Sequence, residues 1–155
     1  MKKILFLLLS SVILVSATPL HINGVKEMLD EASKVVTHVS PKELKKMLDT
    51  DEEFYLIDLR GSSQVERGEI YWIDSFKIPR GYLEFRVELK IPNKNSKVIL
   101  YCCSGKRSIL AAKSMMDMGY TNVAHLEGGI REWVDQDLPL DTTYGEMHRL
   151  EEQEE

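Results

Sequence analysis

Residues 97–119 read KVILYCCSGKRSILAAKSMMDMG. After Lys97, Val98 to Tyr101 form an unbroken apolar run, the pattern of a strand buried on both faces. From Lys106 onward, apolar side chains recur at helical spacing in two adjacent stripes. One stripe is Ile109, Ala112 and Met116; the other is Ala111, Met115 and Met118. Gly119 stands where a left-handed residue closes a helix. A doubly buried strand, a tight loop and an amphipathic helix make the repeating unit of a parallel α/β sheet.

The flanking sequence extends that unit in both directions. Phe54 to Asp58 is a second apolar strand, and Val35–Val39, Ser75–Ile78 and Val123–Leu126 are shorter ones. Ser40-Pro41-Lys42-Glu43 is a capping box with proline at the first helical position, and Leu44, Met47 and Leu48 give that helix one apolar face. Val25, Met28, Leu29 and Ala32 predict an earlier helix. Ser62 to Arg67 predict one helical turn, stopped by Gly68. A further helix is expected from Pro79 through Tyr82, Phe85 and Leu89 to Pro92, and a last one carries Ile130, Trp133 and Val134 up to Pro139. Strands alternate with helices and lack polar alternation, which predicts an α/β fold with a central, mainly parallel sheet flanked by helices on both faces.

Composition removes several function classes. The 155 residues carry 20 Lys and Arg against 25 Asp and Glu, a net charge of −5, which argues against a nucleic-acid binder. The two cysteines, Cys102 and Cys103, are neighbours. They cannot staple distant segments, and they lack the spacing of a zinc site. The four histidines show no metal-ligand spacing either, and no metal or cofactor is expected.

The first residues read as an address. Lys2 and Lys3 precede the apolar run Ile4–Val15, and Val15-Ser16-Ala17 offers small residues at a cleavage spacing. The run is shorter than the ~20 residues that span a bilayer, so residues 1–17 are expected to be a secretory signal peptide. Membrane contact would then be confined to that segment, and the location would be periplasmic or secreted. The remaining chain divides into an N-terminal helical segment (18–34), one α/β domain (35–140) and an acidic tail (141–155).

The chemistry concentrates at Cys102–Ser108. In open α/β sheets, ligands bind beyond the carboxyl ends of the strands. Gly105 lets the backbone take a conformation that other residues resist. Such a loop can turn successive N–H groups inward as an anion nest, and the following helix start adds positive partial charge. Lys106 and Arg107 add two full charges. Thiols at helix N-termini beside basic residues ionise readily. Cys102 is therefore the candidate nucleophile, in a cradle that favours a negative group.

The segment Tyr101-Cys102-x-Ser104-Gly105-x-Arg107-Ser108 resembles the active-site loop of rhodanese-homology domains. So do Ala111-Ala112 and Gly119-Tyr120-x-Asn122-Val123-x-x-Leu126-x-Gly128-Gly129-x-x-x-Trp133 downstream. Upstream, Asp58-Leu59-Arg60, Gly68-x-Ile70 and Ile78-Pro79-x-Gly81 fit as well. The resemblance implies a five-stranded parallel sheet and a sulfurtransferase. Its cysteine takes a sulfane sulfur from a donor such as thiosulfate, holds it as a persulfide, and yields it to cyanide or a thiol, including a protein thiol. By position, Cys102 would be the nucleophile. The amides of Cys103, Ser104, Gly105, Lys106, Arg107 and Ser108 would cradle the persulfide. Arg107, with Lys106, would hold an anionic donor, and Arg60 is carried along as a substrate contact beside its reading as an ion-pair partner of Asp58.

Loop length separates related chemistries. Four residues lie between Cys102 and Arg107, whereas phosphatase-like and arsenate-reductase-like relatives of this architecture use five. The shorter loop favours sulfur over phosphorus, and counting from Cys103 leaves too few residues for either class. A non-turnover sulfur carrier or thiol-redox partner using the same loop is the remaining alternative. The chain departs from the family pattern at Gln64, at Glu69 and at Cys103. Cys103 has two readings: a variable loop position, or a resolving thiol.

Overall fold

The computed structural model describes residues 24–142 and 144–147, so the expected signal peptide and the last acidic residues lie outside the described residues. The chain order is α1 (Gly24–Val35), β1 (Thr37–Val39), α2 (Pro41–Asp49), β2 (Tyr55–Asp58), α3 (Ser62–Val65), β3 (Ser75–Lys77), α4 (Leu83–Lys90), β4 (Val98–Tyr101), α5 (Lys106–Asp117), β5 (Val123–Leu126), α6 (Gly129–Asp135), β6 (Leu140–Thr142) and β7 (Gly145–Met147). The first five strands form one sheet in the order β1-β5-β4-β2-β3, with every neighbouring pair parallel.

Strand alternation divides the core in two. Val98 and Leu100 of β4 join Ile57 and pack under α1, α4 and α5, where Ala32, Leu83, Val87, Ala112 and Met115 are buried. Ile99 and Tyr101 point to the opposite face with Leu56 and Leu126, under Leu44 of α2 and Trp133 of α6. Successive side chains of a strand face opposite ways, so a strand covered on both sides is apolar except where a polar group finds partners, as His125 does on β5. All four residues of β4 and of β5 are buried. The sequence pattern and the two-layer covering are one fact. Helix α1 packs into this same core through Ala32, with Val36 just beyond it.

The capping box forms as expected: the Ser40 hydroxyl accepts from the Glu43 N–H, and the Glu43 carboxylate accepts from the Ser40 N–H at 2.8 Å. One expectation needs correction. The helix predicted from Pro79 is a 3₁₀ turn over Arg80–Tyr82 followed by α4. Its inward residues are Leu83 and Val87, while Phe85 and Leu89 are exposed. The apolar positions supported two rotations of the helix, and the sheet selects the other one. The described residues at the start of the acidic tail belong to a hairpin. β6 and β7 form an antiparallel hairpin, and Glu69 and Asp141 exchange backbone hydrogen bonds of 2.9 and 2.8 Å. Backbone pairing at an exposed edge needs no apolar side chains, so composition carried no sign of it.

Connectivity selects one crevice. From β2 the chain moves outward to β3, and from β4 it moves the other way to β5, although β2 and β4 are adjacent. The loops leaving their carboxyl ends therefore part from each other, which is the switch point where open α/β sheets bind ligands. Residues 59–64 form one wall and residues 102–106 the other.

Candidate active site

Cys102 follows directly on β4 and is only 1% exposed. The loop after it is shaped by two glycines. Gly105 has φ +80°, and a Cβ there would lie 3.2 Å from the Gly128 amide nitrogen. Gly129 has φ +63°, and a Cβ there would stand 2.4 Å from the Cys102 carbonyl oxygen. That close approach lets the first amides of α6 hold the loop from behind: Ile130 N–H donates to the Cys102 carbonyl at 2.8 Å, and Arg131 N–H to the Cys103 carbonyl at 3.1 Å. With its carbonyls held on that side, the loop leads into α5. The N–H groups of residues 104–108 donate to no backbone carbonyl of the described residues. These are the unpaired donors that a helix start offers to an anion.

The two thiols are free and face different partners. Cys102 Sγ lies 3.8 Å from Ser108 Oγ, on the buried side. Cys103 Sγ accepts from Gln64 Nε2 at 3.2 Å and from Arg107 Nη2 at 3.5 Å, and Arg107 also donates to Gln64 Oε1 at 3.3 Å. Cys103 opens on a cleft of about 290 Å³ lined with Gln64, Arg67, Arg131 and Leu140. A roomier cavity of about 460 Å³, between Lys45, Trp72 and Trp133, holds neither cysteine. Free thiols, unpaired amides and glycine-dependent backbone meet at the loop and not there, so the loop is the candidate site.

Arg60 supports the wall of this crevice. It is 4% exposed, and it grips Asp58 (3% exposed) through Nε at 3.0 Å and Nη2 at 2.6 Å. It also donates to the Gln64 carbonyl at 3.1 Å and the Gly68 carbonyl at 2.8 Å. These bonds take up most of its N–H donors, so the substrate contact carried over for it gives way to the structural reading. Burial alone would lower the guanidinium pKa; the Asp58 carboxylate outweighs that and raises it. The neighbouring Tyr101 phenol is pushed well above its ordinary value by burial and then by the Asp58 charge. Arg80 donates to Glu84 and to Ser114 Oγ at 3.0 Å, so it is engaged within its own wall of the fold.

Two groups of residues escaped the sequence reading. Gln64 stands out there only as a departure from the family pattern, yet it bridges Cys103 and Arg107. The histidines stand out there only for lacking metal-ligand spacing. Behind Cys102, Ser108 Oγ lies 3.0 Å from the Gly105 carbonyl and 3.3 Å from His125 Nδ1. His125 Nε2 lies 2.9 Å from His38 Nδ1, and His38 Nε2 is 3.2 Å from the Ser33 carbonyl. The pairing follows from β1 lying beside β5, with His38 opposite His125 in register. Burial, and then the nearby His38, lower the His125 pKa from 6.5 to about 4.

That shift predicts a pH-dependent stability. On acidification the unfolded chain takes up the His125 proton first, near its ordinary value, while the folded chain does so only near pH 4. Stability is therefore full above about pH 6.5 and falls by about 3 kcal/mol between there and pH 4. Urea unfolding of the protein and of His125→Leu across that range should show the difference in slope.

Comparison with known proteins places the chain. Residues 40–136 match the rhodanese-like domain model. A sulfurtransferase of Allochromatium vinosum is 32% identical over 106 residues, covering 68% of this chain and 95% of its own. A tRNA uridine(34) hydroxylase of Erwinia tasmaniensis is 32% identical over 126 residues, which are 76% of this chain but only 35% of the hydroxylase. The chain thus spans about a third of that relative's length. Among solved structures, a Rhodopseudomonas palustris protein of unknown function, described as a possible tyrosine phosphatase, superposes with a TM-score of 0.69 at 33% identity, covering 79% of this chain and 98% of that one. The chain belongs to the rhodanese-like domain family, a family of sulfurtransferases and sulfur carriers.

Proposed function

We propose that this protein is a sulfurtransferase working through a Cys102 persulfide. The observation that carries the reading is a buried thiol at the end of β4, at the foot of a loop whose N–H groups 104–108 are free for an anion. In the first half-reaction the Cys102 thiolate attacks the outer sulfur of a small anionic donor such as thiosulfate. An S–S bond forms, the donor's S–S bond breaks, and sulfite leaves with the electron pair. In the second, a thiolate or cyanide attacks the outer sulfur of the persulfide, and the Cys102 thiolate is the leaving group. The free amides and the positive end of α5 favour the anionic persulfide over neutral forms. The four-residue spacing from Cys102 to Arg107 supports this reading over the phosphatase suggestion attached to the Rhodopseudomonas relative. The acceptor is a small thiol or a protein thiol. The run Ile4–Val15 supports action outside the cytoplasm.

Arg107 tests donor recognition. Its guanidinium stands at the mouth beside Cys103 and Gln64. A hydrogen bond from a charged group contributes about 1.5–3 kcal/mol, so Arg107→Ala should lower kcat/KM for thiosulfate by about 10- to 100-fold. An uncharged organic trisulfide should lose far less. Equal losses for both donors would make Arg107 a support of the loop and not a contact for the donor.

A further inference from the structure

A thiol that is 1% exposed cannot hand its proton directly to bulk water. Hydrogen bonds nevertheless run from it to the surface. Cys102 Sγ, Ser108 Oγ, His125 Nδ1 and Nε2, His38 Nδ1 and Nε2, and the Ser33 carbonyl follow one another at 3.8, 3.3, 2.9 and 3.2 Å. His38 is exposed, whereas Ser108 and His125 are buried. We propose that Ser108, His125 and His38 form a relay that carries the Cys102 proton out to solvent and so prepares the thiolate. The proposal rests on Cys102 being the nucleophile. In it, Ser108 touches the reacting sulfur, and the two histidines are positioning residues that act through it.

The donors and acceptors fit both ends of the transfer. With a neutral thiol, Sγ–H donates to Ser108, Ser108 to His125 Nδ1, His125 Nε2–H to His38 Nδ1, and His38 Nε2–H to the Ser33 carbonyl. Each proton then moves one step along. Sγ becomes a thiolate, Ser108 stays neutral with its hydroxyl turned to the Gly105 carbonyl, His125 stays neutral as its other tautomer, and His38 holds two N–H groups and the positive charge. One proton has left sulfur, one has arrived at His38, and water removes it there.

The surroundings place the charge at the outer end. Ser33 lies in the last turn of α1, whose final carbonyls are the negative end of a twelve-residue helix and favour a cation. His125 is buried, which disfavours charge on it, in keeping with its lowered pKa. The proton passes His125 and rests at His38. The titratable and charged groups along the line are Cys102 with its neighbour Cys103 on the loop, Lys106 and Arg107 at the start of α5, His125 on β5 and His38 on β1. The cations Lys106 and Arg107 open α5 at the sulfur end of the line, where Arg107 meets Cys103 and Gln64.

The test is the rate of Cys102 alkylation by iodoacetamide against pH, with the modified cysteine located by fragment mass. It needs no sulfur donor, so it stands or falls separately from the sulfurtransferase reading. The wild-type protein is compared with His38→Ala, an exposed position where folding is not at stake, and with Ser108→Ala, which breaks the line next to sulfur. The relay predicts that both variants react about tenfold more slowly at neutral pH and converge on the wild type in alkali, where hydroxide removes the thiol proton without the relay. Added imidazole should restore the His38→Ala rate, and the double variant should lose no more than either single one. Superimposable profiles, a loss equal at every pH, or no response to imidazole would overturn the relay.

Discussion

Cys102→Ser should abolish persulfide formation and sulfur transfer, while Cys103→Ser should keep most of both. The serine fills the space of the thiol and leaves the fold intact, but it cannot form the covalent intermediate. Loss of a covalent nucleophile lowers turnover by more than about a thousandfold. Cys103 differs because its sulfur meets Gln64 and Arg107, whereas that of Cys102 meets Ser108. The loop needs the Cys103 backbone, which a serine supplies equally. Assay of thiosulfate-to-cyanide transfer for the two variants reads the contrast directly. A reversal, with Cys103 essential and Cys102 dispensable, would mean that the chemistry faces the cleft beside Gln64.

The second large effect falls on stability. Arg60→Ala should destabilise the domain by about 3–5 kcal/mol, the usual effect of leaving a buried partner charge uncompensated. Asp58 is 3% exposed and would be left buried with no cation against it. The Gln64 and Gly68 carbonyls would lose donors as well, loosening the wall that faces the cysteine loop. Urea unfolding at neutral pH measures the loss. Replacing both partners by apolar residues of similar size should recover much of it, since the deficit comes from the unpaired charge and not from a missing substrate contact. A loss under about 1 kcal/mol, with activity gone, would return Arg60 to the substrate.

What could be read from the sequence, and what could not, follows a physical line. The β4–loop–α5 unit was legible because strand burial, loop chemistry and helix period are all local signals. They place Cys102 without any knowledge of distant residues. The capping box at Ser40 is local in the same way. The rotation of α4 was not legible, because Leu83 and Val87 compete with Phe85 and Leu89 for the inner face and only the sheet decides. The hairpin of β6 and β7 rests on backbone pairing that side-chain composition does not encode. The His38–His125 contact depends on strand order, which brings residues 87 apart in sequence into register. The bridge from Gln64 to Cys103 depends on the same topology, across β2 and β4. The candidate nucleophile could be read locally, whereas its supports belong to the assembled sheet.

The central claim is a sulfur atom held on Cys102, and the most direct measurement is the intact mass of the protein after incubation with thiosulfate in the absence of reductant. The account predicts a gain of one sulfur atom, removed by cyanide and absent from Cys102→Ser. No gain, or instead a loss of two hydrogens as Cys102 and Cys103 join in a disulfide, would contradict it.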